Sequence, residues 1–233
     1  MRRHQRYNYN RIWIFFTLTL SITLFTMSCA SGPHKREKSA IELLTEGEAF
    51  YKAGKFRTAI ESFENLIDWY PFSVHKTKAE LNIGDAYFQT GEYHDAIFAY
   101  EEFERMHPTH EKAPYVLNQI GTCFLYQMDA IDRDQTPAIQ AVRYFDRIRH
   151  EYPQSQYAID AKNNIMTCYQ SLVKNEYYVG STYYKAEHYK AALNRFEIIV
   201  TRYPDVGMHQ KAIEYITKCR LAMANTGQRT IRR

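Results

Sequence analysis

The sequence predicts an all-α fold, a solenoid of about four to five stacked helix pairs. From Ser39 to about Ala224, apolar residues recur at i, i+3, i+4 and i+7, which is the spacing of amphipathic helices. Three segments of equal length also align without a gap, and each of them closes on a proline. A repeated helix pair buries its apolar face only against its neighbours, so the copies are expected to stack in a row.

The repeats share glycine, alanine, aromatic and proline positions at fixed offsets. The three clear copies are residues 47–71, 84–108 and 180–204, and a divergent copy runs from Gly121 to Pro153. Glycine and alanine should lie where paired helices approach closely, opposite an aromatic ring that fills the gap. Proline ends the second helix of each pair because it lacks an N–H group. This is the tetratricopeptide pattern of about 34 residues.

The spacing between the closing prolines is irregular. A polar insertion, residues 128–137, separates the helices of the third repeat, and residues 155–186 form one run without proline. We expect that run to be a single helix of about 30 residues, near 45 Å long. A last amphipathic helix is predicted from Met208 to Ala224, and residues 225–233 are predicted to be a disordered tail.

The amino terminus has the composition of an export signal. Four arginines and no acid precede sixteen uncharged, mostly apolar residues, 12–27. A membrane-spanning helix needs about 20 such residues, whereas a basic head and a short apolar core describe a cleaved signal. Small residues surround Cys29, as in a bacterial lipoprotein signal, whose cysteine takes the lipid. We therefore predict a signal peptide at 1–28, a lipidated tether at 29–38 and a repeat domain at 39–224. An uncleaved anchor is the alternative.

Charge and chemistry exclude several function classes. Without residues 1–28, the chain has 26 basic and 26 acidic residues, so its overall charge does not indicate nucleic-acid binding. His107 and His110 have a spacing found in some metal sites, but no further ligand lies nearby, so we interpret them as turn residues and predict no metal site. Cys123, Cys168 and Cys219 fit buried apolar positions. With no phosphate-binding loop or nucleophile motif, we predict no enzyme and no cofactor beyond a covalent lipid on Cys29.

The first helices of such repeats line a concave groove. There the sequence places aromatic side chains beside a few polar ones, a mixture that suits an extended or helical peptide. Ordinary packing is the alternative for each of them. The predicted groove residues are Tyr51, Lys52, Lys78, Leu81, Asp85, Phe88, Tyr115, Asn118 and Tyr126.

Several longer segments resemble a known family. They are "DWYPFS" (68–73), "HPTHEKAPYVLNQIG" (107–121), "DRDQTPAIQAVRYFDRIRHEYPQSQYAIDA" (132–161) and "KNEYYVGSTYYKAEHYKAALNRFEIIVTRYPD" (174–205). Together with the lipoprotein leader, they resemble the BamD family, the lipoprotein subunits of the β-barrel assembly machine in Gram-negative outer membranes. The resemblance runs from the leader to about residue 220.

This resemblance implies a lipid-anchored protein on the periplasmic face of the outer membrane. It would bind the periplasmic domain of the BamA-type barrel subunit and receive unfolded outer-membrane proteins, with other Bam lipoproteins as further partners. By position, Tyr70 and Phe72 become substrate candidates beside the groove residues. Arg195 becomes a docking candidate that we expect to be exposed, and Asp132, Arg133 and Asp134 could touch a neighbour or close on themselves. The rival functions are a secretin pilotin, a cell-wall division coordinator and a lipoprotein enzyme with accessory repeats.

Overall fold

The structure, a computed structural model, describes residues 37–231, with side chains to residue 225. The predicted signal peptide, Cys29 and most of the tether lie outside these residues. The described part contains nine helices and no strand. The helices are α1 (Ala40–Lys52), α2 (Phe56–Trp69), α3 (Lys76–Thr90), α4 (Tyr93–Met106), α5 (Ala113–Tyr126), α6 (Thr136–Glu151), α7 (Tyr157–Lys185), α8 (Tyr189–Arg202) and α9 (His209–Ile231).

Each helix packs chiefly against the helix before it and the helix after it. The connections are short, so consecutive helices are antiparallel and form the pairs that the repeats predict. Helix α7 is the exception, because it packs against α5 and α6 with one part and against α8 with another. The predicted all-α solenoid of tetratricopeptide type is confirmed.

The repeat glycines make room for aromatic rings. A side-chain carbon added at Gly47 would lie 2.4 Å from the ring of Phe63. The corresponding distances are 2.7 Å at Gly84 and Gly121 and 3.0 Å at Gly180, from the rings of Tyr100, Phe145 and Phe196. All four rings are fully buried. The predicted close approach of paired helices is therefore confirmed in every copy.

The turns inside the repeats need a left-handed residue. Gly54 and Gly91 adopt φ values of 72° and 76°, as expected for glycine. In the last repeat the same turn is made by Glu187, with φ of 61°. Its N–H donates to the carbonyl of Tyr184, and Gly91 bonds Phe88 in the same way. The backbone conformation is thus kept where the glycine is lost.

Two of the three predicted irregularities are confirmed, and the third is wrong. The insertion separates α5 from α6, and α7 is one helix of 29 residues. The last helix does not end at Ala224, because α9 continues to Ile231, so residues 225–231 are helical rather than disordered. No proline interrupts this stretch, and the single glycine in it costs only about 1 kcal/mol of helix propensity.

The three cysteines pack in the core. Cys123, Cys168 and Cys219 are free thiols with no exposed surface. Burial raises the pKa of the Cys123 thiol to about 12, so it stays protonated at neutral pH. The Cys168 sulfur lies 3.9 Å from the sulfur of Met128. The prediction of buried apolar residues is confirmed.

Candidate binding groove and docking face

Four of the predicted groove residues follow one face of α3. Lys78, Leu81, Asp85 and Phe88 are spaced by three, four and three residues, which places them on one side of the helix. A cation stands at one end of this row and an aromatic ring at the other. We call this row, with Tyr51 and Lys52 of α1 and Tyr115, Asn118 and Tyr126 of α5, the groove.

A carboxylate forms the centre of the groove. Asp85 accepts a hydrogen bond of 2.6 Å from the hydroxyl of Tyr100 on α4 and another of 2.6 Å from the hydroxyl of Tyr115 on α5. Burial raises the pKa of the Asp85 carboxyl, although these hydrogen bonds and the charge of Lys112 act in the opposite direction. Burial, and then the charge of Asp85, raises the pKa of the Tyr115 phenol. The two phenols are therefore fixed donors.

The first helix completes the amino-terminal end of the groove. Burial, followed by the charge of Asp85, raises the pKa of the Tyr51 phenol, and its ring contacts Phe56 with centroids 5.3 Å apart. Lys78 forms an ion pair with Glu48 on α1. Lys52 is exposed at the end of α1, so the structure leaves it at the edge of the cluster.

Aromatic rings form the other end. Phe88 contacts Tyr93 at 5.9 Å and Tyr126 at 6.0 Å between centroids, and the two tyrosines are 5.5 Å apart. More than half of Tyr126 is exposed. This end offers a ring surface that a partner can cover without disturbing the core.

Two predicted groove residues are largely packed. Leu81 lies against the main hydrophobic cluster. The amide oxygen of Asn118 is buried and accepts no hydrogen bond within the described residues. The Tyr115 ring lies 6.0 Å from Tyr157, the first residue of α7.

The sequence did not identify Tyr100 as a site residue, because its repeat position is aromatic packing. The corresponding residues are Phe63, Phe145 and Phe196. Only Tyr100 carries a hydroxyl, and a buried phenol needs a partner. That exception to the repeat was the signal that could have revealed the bond to Asp85.

The other two substrate candidates lie at the end of α2. Tyr70 ends that helix and packs against the core that α1 and α2 share. Phe72 is 98% exposed, and Trp69 and Val74 beside it are 55% and 89% exposed. We call residues 69–74 the apolar loop. The structure does not bring Phe72 into the groove, and its role in substrate binding stays a prediction.

Arg195 is not the exposed side chain that the sequence predicted. Its guanidinium lies 3.1 Å from a carboxylate oxygen of Glu176 on α7, and the two side chains are only 39% and 13% exposed. The sequence did not predict this pairing, in which the long helix α7 supplies a carboxylate beside Arg195, and the docking role of Arg195 stays a prediction. A docking partner would meet an existing ion pair.

The insertion closes on itself and on the same stretch of α7. Asp134 accepts hydrogen bonds from the backbone and hydroxyl of Thr136 at the start of α6. The amide of Asn175 donates to the carbonyl of Ile131 over 2.6 Å. Asp132 and Arg133 are exposed. Because Asn175 precedes Glu176, the loop and the Arg195 pair meet along one segment of α7, which we call the docking face.

A further cleft, of about 400 Å³, lies between α2, α3 and α4. Phe98 and Met106 line it and are 68% and 51% exposed, and Glu64 and Asp95 lie beside them. Burial, with the charges of neighbouring carboxylates, raises the pKa of Glu64. The sequence did not predict this surface, because its residues come from three helices at spacings that look like ordinary solvated faces.

A family model described as "YfiO: Outer membrane lipoprotein" matches residues 36–231. The chain belongs to this family. The outer membrane protein assembly factor BamD of Vibrio cholerae is 29% identical over 197 residues, which cover 80% of this chain and 82% of that protein. BamD of Xylella fastidiosa strain 9a5c is 28% identical over 238 residues, 93% of this chain and 80% of that protein.

Among solved structures, a tetratricopeptide repeat protein from Parabacteroides merdae aligns with 82% of this chain and 76% of its own chain, at 12% identity and a TM-score of 0.44. The family model and the BamD relatives confirm the family resemblance that the sequence segments predicted.

In this YfiO-family chain, the described residues contain no group of three or more metal-ligating side chains. His107 instead lies 2.7 Å from Glu80 and against the ring of Phe103. None of the described helices is long and apolar enough to cross a membrane.

Proposed function

We propose that this chain is a lipid-anchored scaffold of the outer-membrane β-barrel assembly complex. It docks the barrel subunit on the periplasmic side and receives unfolded outer-membrane proteins. The family match over residues 36–231 carries this proposal, and both relatives named above are assembly factors. Neither carries the name of a pilotin or a division protein. The proposal requires one covalent group, a lipid on Cys29, and no cofactor.

The groove is the proposed site for precursors. Asp85 holds the hydroxyl of Tyr115 in place, and the buried Tyr100 fixes Asp85 from the core side, so little ordering is needed when a segment binds. The aromatic end, with exposed Tyr126, provides the ring surface that usually dominates peptide recognition. An extended precursor strand carries alternating apolar side chains, which suit this combination of rings and fixed polar groups.

The docking face is the proposed contact with the BamA-type subunit. Its charges come from the partly exposed Arg195 and from the exposed Asp132 and Arg133 of the insertion, and Glu176 and Asn175 of α7 bond Arg195 and the insertion loop. A partner carboxylate would share Arg195 with Glu176, because one guanidinium carries five donors. Other Bam lipoproteins are proposed as additional partners of the complex.

A charge swap tests the docking face. In the double variant Arg195→Glu/Glu176→Arg, the internal ion pair is kept while both charges are reversed. We expect crosslinked pull-down from outer membranes to lose an integral β-barrel protein with periplasmic repeats. Arg105→Glu is the matched control, because Arg105 pairs with Glu102 on the exposed side of α4, and it should retain the partner.

The Cys29→Ala variant tests the anchor in the same assay and should release the protein from the membrane. Recovery of a secretin or of cell-wall enzymes from the lipidated chain would transfer the function to the rival class. Recovery of the barrel subunit by the charge-swapped chain at the normal level would remove the docking face from the proposal.

A truncated ring tests the groove. Tyr126→Ala removes an exposed ring and should weaken the binding of a labelled barrel-strand peptide by about tenfold or more, the usual cost of an aromatic hot spot. Tyr183→Ala is the control, since Tyr183 is also partly exposed but lies at the far end of α7. Equal affinities of the two variants would exclude the aromatic end of the groove.

A further inference from the structure

The apolar loop exposes three large apolar side chains side by side. Phe72 and Val74 are almost fully exposed, and Trp69 is half-exposed. Backbone hydrogen bonds shape the loop: the N–H of Ser73 donates to the carbonyl of Tyr70, and the N–H of Lys76 donates to the carbonyl of Ser73. The side chains are therefore presented by a fixed turn. Exposed apolar surface of this kind marks a site of association.

The loop lies at the end of the domain where the chain enters. Helices α1 and α2 are antiparallel, and the rings of Tyr51 and Phe56 meet at their turn. The opposite end of this pair therefore holds Ser39 and the apolar loop. Ala40 and Tyr70 pack against the same core there. Ile41, in the first turn of α1, is also half-exposed.

Chain length then limits the distance between the loop and a membrane. If Cys29 carries the lipid, the ten residues before Ser39 span at most about 35 Å when fully extended. Tryptophan and other aromatic residues favour the interface between water and lipid. This length keeps the end of the domain that holds Ser39 and the loop close to the bilayer, and a turn that presents Trp69, Phe72 and Val74 there has the chemistry to enter its surface.

We propose that the apolar loop inserts into the interfacial layer of the membrane that carries the lipid anchor. This inference rests on the proposed anchoring at Cys29. The loop would then act as a second membrane contact and would fix the orientation of the first repeat, which a flexible tether alone cannot do. Two membrane signals hold a protein more stably than one.

The chain carries its own probe for this contact. It has two tryptophans, and Trp13 lies in the predicted signal peptide. In residues 29–233, Trp69 is therefore the single tryptophan. The other three cysteines of this segment are fully buried, so the thiol of Cys29 can be coupled selectively to a maleimide lipid. This coupling reproduces the tether without the cellular lipidation step.

The experiment uses residues 29–233 coupled through Cys29 to phosphatidylcholine vesicles. We expect a blue shift of Trp69 emission on coupling, and loss of its intensity when the acyl chains are brominated. Phe72→Ser/Val74→Ser should abolish most of the quenching, and both side chains are too exposed for the change to affect folding. Phe98→Ser, at another exposed ring, should leave the quenching unchanged.

Emission of the coupled protein that is unchanged and not quenched would overturn the proposal. It would also be overturned if an unfolded barrel precursor, without vesicles, produced the blue shift while vesicles did not, because the loop would then be a precursor site. Flotation of the native chain against Cys29→Ala tests the natural anchor separately. A failure of the anchor and a failure of the loop therefore give different results.

Discussion

In the amino-terminal helices, a partly buried carboxylate organises the aromatic residues, because Asp85 accepts hydrogen bonds from Tyr100 and Tyr115. In the carboxy-terminal helices, aromatic rings pack directly on one another. Tyr215 lies 4.8 Å from Phe196 and 5.2 Å from Tyr184 between centroids. The same repeat spacing therefore supports two interiors. The amino-terminal interior holds polar groups in place for a partner, and the carboxy-terminal interior contributes mainly to stability.

The largest expected effect is the loss of a ring from the carboxy-terminal cluster. Phe196→Ala removes a fully buried ring that contacts both Tyr177 and Tyr215. It should lower the free energy of unfolding by about 3–5 kcal/mol, as measured by urea titration. Tyr100→Phe, which removes only a hydroxyl bonded to Asp85, should cost about 1–2 kcal/mol. Equal losses would mean that the two interiors do not differ in this way.

Glycine-to-alanine changes at the packing glycines should affect stability differently in the amino-terminal and carboxy-terminal repeats. Alanine gains about 1 kcal/mol of helix propensity over glycine, whereas overpacking costs about 1–3 kcal/mol. At Gly47 the new carbon would lie 2.4 Å from the Phe63 ring, so Gly47→Ala should be destabilising. At Gly180 the nearest atom is 3.0 Å away, so Gly180→Ala should be close to neutral. Thermal unfolding of both variants would test this, and a larger loss at Gly180 would contradict it.

The left-handed turns predict changes of opposite sign. Gly91→Ala places a side chain at φ of 76° with nothing within 4 Å of it, so only backbone strain of about 1–2 kcal/mol is expected. Glu187→Gly removes the same kind of strain in the last repeat and should stabilise the protein by up to about 1 kcal/mol. Urea titration of both variants is the measurement. Destabilisation by Glu187→Gly would show that this side chain has a stabilising role.

The smallest expected effect is a difference in pH dependence. Burial raises the pKa of Asp85 above its ordinary value of 3.8. As the pH rises, the unfolded chain therefore loses this proton first, while the folded chain still holds it. Stability contributed by this group is therefore lost as the pH rises. Hydrogen bonds from the Gly207 and His209 backbone lower the pKa of Asp205, and its contribution is lost as the pH falls.

As the pH rises from about 3 to about 7, the stability of Asp85→Asn should therefore increase relative to that of the original chain. The stability of Asp205→Asn should decrease relative to it. Urea titrations across this range would measure both differences. The same sign for the two variants would contradict the assigned pKa directions.

The packing inside the repeats was predictable because each repeat position contacts the same partner position in every copy. Gly47 and Gly84 could be placed opposite rings before the structure was known, since their offsets recur. Pairings between distant residues were not predictable. Nothing in the sequence links Arg195 to Glu176, nineteen residues earlier, because the link depends on how α7 and α8 face each other. The exposure of Phe72 likewise depends on a turn that no repeat position defines.

Helix α7 connects the two proposed sites as one rigid spacer. Its first residue, Tyr157, contacts Tyr115 of the groove, and its Glu176 pairs with Arg195 on the docking face. A helix rises about 1.5 Å per residue, so these points lie roughly 28 Å apart. No break in the helix allows this separation to vary. A precursor strand bound in the groove would therefore lie at a fixed distance and angle from the barrel subunit. Its transfer to the barrel subunit would then require the barrel subunit to move.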